Sequence, residues 1–148
     1  MTDKIEKQVL LNAPLARVWS AITAADQFGA WFRVRLDGPF RLGEWSTGRI
    51  TYPGYEYMLW RAKVVAFQPQ SLFAFEWHPN PVDPERDYSD EPMTRVEFRL
   101  EAVGAQTRLT ITESGFDALP PPRRDEAFFR NEGGWTQQVV HIQAHVEP

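Results

Sequence analysis

Apolar and polar side chains alternate without a break over 94–102, with Val96, Phe98, Leu100 and Ala102 on one parity and Arg95, Glu97, Arg99 and Glu101 on the other. A period of two is that of a strand with one face in a core and one in water. Val103-Gly104-Ala105-Gln106 predicts a turn into a second strand over 107–114, with Leu109 and Ile111 inward. Upstream, Phe73, Phe75 and Trp77 alternate with Ala74, Glu76 and His78, and Gln68-Pro69-Gln70-Ser71 predicts the turn that joins them to a run from Tyr57 to Phe67. In that run Met58, Trp60, Ala62, Val64 and Ala66 share one parity opposite Arg61 and Lys63, which predicts a hairpin. Shorter strand-like stretches lie at 4–11, 34–36 and 45–52.

Elsewhere the period changes. Leu15, Val18, Trp19 and Ile22 fall at the i, i+3, i+4, i+7 positions of one helical face, and Pro14 suits the start of such a helix. Asp26 is placed to cap a second brief helix through Gln27, Phe28 and Ala30. After Pro120-Pro121-Pro122, read as a stop, Phe128, Trp135, Val139, Ile142 and Val146 occupy one arc of a helix. From Arg124 to Val146 it would span on the order of 34 Å. Gly133-Gly134 interrupts this pattern and predicts a close approach or a bend, or else a helix that starts after them. Residues 79–92 carry four prolines and five acids, so they are expected to form an exposed loop.

A strand, two short helices, about six antiparallel strands and one long amphipathic helix make an α+β order. So long a sheet must curve, and only the last helix can fill its hollow. At 148 residues, one domain over 1–148 is the expectation.

Composition narrows the function. Aromatic residues make up 14% of the chain, with six tryptophans, so the rings need a large core or a cavity to line. The absence of cysteine removes disulfides, thiolate metal sites and cysteine nucleophiles, and fits a cytoplasmic home. A net charge of -4 argues against a nucleic-acid partner. No stretch suits a secretory signal or a bilayer span, so membrane insertion is not expected.

Several stretches resemble one family. Asn12-Ala13-Pro14, then Val18-Trp19, Ile22-Thr23 and Trp31-Phe32, are similar to the opening of START-like (SRPBCC, Bet v-type superfamily) domains related to the activator of heat-shock-protein-90 ATPase. Gly38-Pro39-Phe40-Arg41-Leu42-Gly43 resembles that family's glycine-bearing turn, and Val64-Val65-Ala66-Phe67-Gln68-Pro69 with Phe75-Glu76-Trp77 resembles its central hairpin. Thr107 to Phe116, with Glu113-Ser114-Gly115-Phe116, and Gly134-Trp135 complete the pattern. The resemblance implies a helix-grip fold: a curved antiparallel sheet of about seven strands around a long C-terminal helix, with a cavity between them. The eukaryotic co-chaperones of this name carry a further N-terminal domain that these 148 residues do not include, and the 79–92 insertion matches no family motif.

Candidate ligand contacts are Trp60, Phe73, Phe75, Trp77 and Phe98 from strands and Phe128, Trp135, Val139 and Ile142 from the helix, each of which is otherwise ordinary core. Glu113 shares the parity of Leu109 and Ile111 and would project a carboxylate inward; the commoner outcome is a frayed strand end in water or beside an arginine. Glu113, Glu76 and His78 are the weak acid or base candidates. His141 and His145 have the spacing of helical metal ligands but lack the H-E-x-x-H context, so neither a metal nor another cofactor is expected.

The leading expectation is binding of a small hydrophobic or amphipathic ligand, such as a lipid, polyketide or aromatic metabolite. The alternatives are a module that modulates a chaperone ATPase or another protein through the Arg95, Glu97, Arg99 and Glu101 face, and a cyclase- or hydratase-type enzyme, though no catalytic constellation is evident. A homodimer stays open.

Overall fold

Alternation along the chain resolves into one antiparallel sheet. The computed structural model describes residues 3–79, 81, 83 and 85–148; Met1, Thr2 and, in the proline-acid stretch, Asn80, Val82 and Pro84 lie outside the described residues. The strands are β1 (Lys4–Leu11), β2 (Val34–Leu36), β3 (Trp45–Ile50), β4 (Leu59–Gln68), β5 (Leu72–Trp77), β6 (Thr94–Val103) and β7 (Gln106–Ser114). Their order is β1-β7-β6-β5-β4-β3-β2, so β2 to β7 run as a meander and β1 closes against the last strand. Helices α1 (Leu15–Thr23) and α2 (Ala25–Phe32) carry the chain from one edge strand to the other. The long α3 (Pro121–Val146) packs against β1, α1 and α2. This is the helix-grip arrangement, with a curved sheet.

Aromatic rings make up much of the core between sheet and helices. Phe28 of α2 has no exposed surface; its ring centroid lies 4.8 Å from Trp31, 5.2 Å from Phe40 and 5.6 Å from Trp60. Phe73 stacks on Phe98 at 6.0 Å, and Phe75 meets Trp60 edge-on at 5.3 Å. Such pairs add about 0.5–1.5 kcal/mol beyond burial. The indole N–H groups of this core are satisfied: Trp31 donates to the Ala21 carbonyl at 2.8 Å and Trp60 to Ser46 Oγ at 2.9 Å.

Three local expectations are corrected. A register shift between Val64 and Ala66 breaks the parity of β4. Phe67 therefore turns inward, 5.8 Å from Phe73, while Ala66 joins Leu72 and Ala74 in a small outer cluster. Pro121 and Pro122 open α3 instead of stopping the chain, because a first helical turn needs no donor from them. Asp26 lies in the first turn of α2, where a carboxylate suits the helix dipole, and gives no side-chain cap.

Glycines also separate positional need from tolerance. A Cβ at Gly29 would sit inside contact distance of the Val34 carbonyl, whereas α3 runs unbroken through Gly133-Gly134 and a Cβ there meets nothing within 4 Å. Neither a close approach nor a late helix start explains that pair. Gly29→Ala is expected to destabilise, since overpacking costs about 1–3 kcal/mol, while Gly134→Ala gains up to about 1 kcal/mol of helix propensity. Urea unfolding of both variants checks this, and equal midpoints would contradict it.

Candidate functional site

The inner parity of β7 buries Thr107, Leu109 and Ile111, and the same alternation buries a carboxylate at Glu113, which is 0% exposed. Sheet register sets Val96 opposite Glu113 and Trp77 opposite Thr94, so Trp77 and Thr94 lie diagonally beside it. Asn131 and Trp135 descend from α3 one turn apart. All four donate to the carboxylate. Trp77 Nε1 reaches Oε2 at 2.8 Å and Thr94 Oγ1 at 2.5 Å. Trp135 Nε1 reaches Oε1 at 2.8 Å, and Asn131 Nδ2 lies 3.0 and 3.1 Å from the two oxygens.

This overturns the reading of Glu113 as a frayed strand end. No ion pair involves it among the described residues. An indole N–H can only donate, so the two tryptophans require an acceptor here. The knot ties β5, β6, β7 and α3 together at one residue, and its donors already meet both oxygens.

Beside the knot lies a cavity of about 630 Å³. Its lining includes Ile50, Trp60 and Trp77 of the sheet and Asn131 of α3. It opens at one corner of the molecule, walled by Phe32, Ile50, Trp60, Trp77 and Asn131 and rimmed by Tyr57, Arg61, His78, Arg86, Asp87 and Tyr88. A second hollow of about 150 Å³ is lined by Phe32 and Trp77 and by Asn131, Gly134, Trp135 and Gln138 of α3. The missing side chain at Gly134 leaves part of that room.

The outer wall comes from the proline-acid stretch, whose described residues are fastened to α3. Arg123, 8% exposed, donates Nε to Glu91 Oε1 at 3.1 Å and Nη2 to the Pro79 carbonyl. Arg86 Nη2 reaches the other Glu91 oxygen at 2.5 Å, and both guanidinium groups lie over the Tyr88 ring, at 4.9 and 5.0 Å. Asp87 accepts from the Ser89 backbone N–H at 2.9 Å, and its hydrogen bonds to Ser89 hold its carboxyl below the usual range.

The sequence candidates distribute unevenly. Trp60 and Trp77 line the larger cavity, and Trp77 and Trp135 the smaller one. Phe73, Phe75, Phe98 and Ile142 are fully buried and line neither. Val139 is half-buried against the core, and Phe128 packs edge-on to Phe116 at 5.1 Å. His78 lines the larger cavity with Nε2 3.1 Å from the Glu91 carbonyl. Glu76 is on the opposite face, in register with Lys63 and Arg95. His141 Nδ1 lies 3.0 Å from Gln138, whereas His145 turns toward Gln27 at 3.4 Å. Burial, with Arg17 nearby, holds His145 below its ordinary pKa. Thr94, Asn131 and Tyr88 escaped the sequence reading, although Asn131 stands one turn before Trp135 on the same face.

Residues 12–147 match the family model described as "Activator of Hsp90 ATPase homolog 1-like protein". The chain belongs to this family. No curated protein sequence matches it. Solved structures share the fold of this chain. MLL2253 from Mesorhizobium loti has a TM-score of 0.75 at 19% identity, covering 96% of this chain and 95% of that one. DynU16, from the dynemicin biosynthetic locus, has a TM-score of 0.72 at 20% identity over 98% of this chain. This chain spans 47% of the length of DynU16. CalU16 from Micromonospora echinospora has a TM-score of 0.66 at 20% identity, covering 98% of this chain and 76% of that one. Among the described residues, no helix of this family member is long and apolar enough to cross a membrane.

Proposed function

We propose that the chain binds a small hydrophobic or amphipathic ligand, a lipid, polyketide or aromatic metabolite, in the corner cavity, acting as one domain in the cytoplasm. The observation that carries this is a volume of about 630 Å³ walled by Phe32, Trp60 and Trp77 with a few polar groups converging on it. That size and lining are typical of small-molecule sites. A fold relative from a biosynthetic locus is in keeping with such a role. Binding is favoured over acid–base chemistry because four donors, Trp77, Thr94, Asn131 and Trp135, already occupy the roughly four lone-pair directions of the Glu113 carboxylate.

Native mass spectrometry of freshly purified protein is expected to show a retained small molecule. Trp77→Ala, which removes a wall shared by both cavities, should weaken its binding at least about tenfold. Arg99→Ala, on the outer face beside Glu97, should leave it unchanged. Equal affinities, with near-ultraviolet circular dichroism intact, would count against the cavity. Stimulation of a chaperone ATPase by a chain that retains no ligand would favour the interaction-module alternative instead.

A further inference from the structure

Charge is segregated along this chain. Residues 33–63 hold six basic and three acidic side chains, while the remaining residues hold ten and seventeen. Sheet register gathers the basic excess on the outer face of β2, β3 and β4, where Arg35 stands opposite Arg49, Arg49 opposite Leu59, Thr47 opposite Arg61 and Trp45 opposite Lys63. Arg33, at the end of α2, lies over the Tyr52 ring at 5.4 Å. None of these five cations is ion-paired among the described residues. On β6 and β7 the same face is balanced, since Arg95 and Arg99 both meet Glu97 and Arg108 meets Glu101. Like charges set directly across a sheet are destabilising, so Arg35 opposite Arg49 is a pair that an anion outside the chain would relieve.

Apolar groups stand among the cations. Leu59 is 63% exposed, Trp45 is exposed beside it, and the turn between β3 and β4 presents Tyr52, Tyr55 and Tyr57. Arg49 Nη1 reaches the Glu56 carbonyl at 3.1 Å and holds that turn against the face. These groups decide which polyanion fits. Bases stack on open rings, but guanidinium groups already lie over Trp45, at 3.7 Å, and over Tyr52. A nucleic acid also gains nothing from an exposed leucine. A bilayer surface uses all three kinds of side chain, with arginine and lysine at lipid phosphates, tyrosine and tryptophan at headgroup level and leucine at the acyl boundary.

We infer that the outer face of β2, β3 and β4, with its turn, docks the protein on an anionic lipid surface. The rest of the chain, with its excess of acid, is repelled by that surface, so the field also sets the orientation. Tyr57, Leu59 and Arg61 belong both to this face and to the lining of the larger cavity, which therefore opens beside the bilayer. Docking is peripheral, by side chains alone, and it does not depend on the cavity being filled.

The test is co-sedimentation with vesicles of phosphatidylcholine alone or mixed with phosphatidylglycerol. The wild-type chain should bind the mixed vesicles and not the neutral ones. Binding should vanish as NaCl rises from about 0.1 to 1 M, where the screening length shrinks from about 10 to 3 Å. Arg35→Gln and Lys63→Gln should each weaken it about fivefold, and Leu59→Gln about tenfold. Arg99→Ala removes a cation from the balanced part of the sheet and should change it less than twofold. Near-ultraviolet circular dichroism checks that each variant is folded; the lipid and salt dependence of the wild type decides alone for any that is not. No binding to the mixed vesicles, equal binding to neutral ones, or an equal loss from Arg99→Ala and Arg35→Gln overturns the inference. Retention of a single-stranded oligonucleotide in place of vesicles overturns it too and gives the face to a nucleic acid.

Discussion

Glu113→Ala is expected to lose more than about 4 kcal/mol of stability, because it strands two indole N–H groups, a carboxamide and a hydroxyl at a buried site, each costing about 1–3 kcal/mol when unpaired. Against a typical total of about 5–15 kcal/mol, such a variant sits near the edge of folding. Water entering the space would recover part of the loss, since the site is polar. Glu113→Gln tests the same idea at constant shape. A glutamine must turn an NH2 toward at least one of the donors that now meet Glu113, so a loss of about 2–3 kcal/mol is expected, intermediate between wild type and alanine. Urea unfolding followed by tryptophan fluorescence reads all three proteins. A glutamine variant within about 0.5 kcal/mol of wild type would show that the donors have other partners in solution.

Phe28→Ala is expected to cost about 3–5 kcal/mol, the usual range for deleting a large buried ring. Phe28 lies between α2 and the sheet, touching Trp31, Phe32, Phe40, Trp60 and Phe98, and backbone on both sides limits collapse into the gap. The result also bears on how the aromatic residues are used. A loss under about 1.5 kcal/mol would mean that the interior is loosely filled.

Much of the fold was legible because the inner faces of β5, β6 and β7 follow a strict period of two, and Phe73, Val96, Phe98, Leu109 and Ile111 are all buried as that parity requires. The slip at Ala66 came from a bulge, which adds a residue without any mark in the local pattern. Pro121 and Pro122 misled because proline both ends and begins helices. The site was less legible. Glu113 could be placed inward by parity, but its donors come from positions 77, 94, 131 and 135, and only the sheet register and the docking of α3 bring them together. The outer wall was harder still, since Asp87, Tyr88 and Glu91 follow no hydrophobic period and owe their placement to Arg123, far along the chain.

The hollow shares Phe32, Trp60 and Trp77 with the ring-filled interior, but much of its rim comes from residues 57–59 and 86–89. The rim can therefore vary separately from the packing that holds the chain together. Replacements at Tyr57, Asp87 or Ser89 can redraw the shape of the opening while the aromatic packing that holds the chain together goes undisturbed. A scaffold so divided can reshape its opening in small steps, without first surrendering its stability.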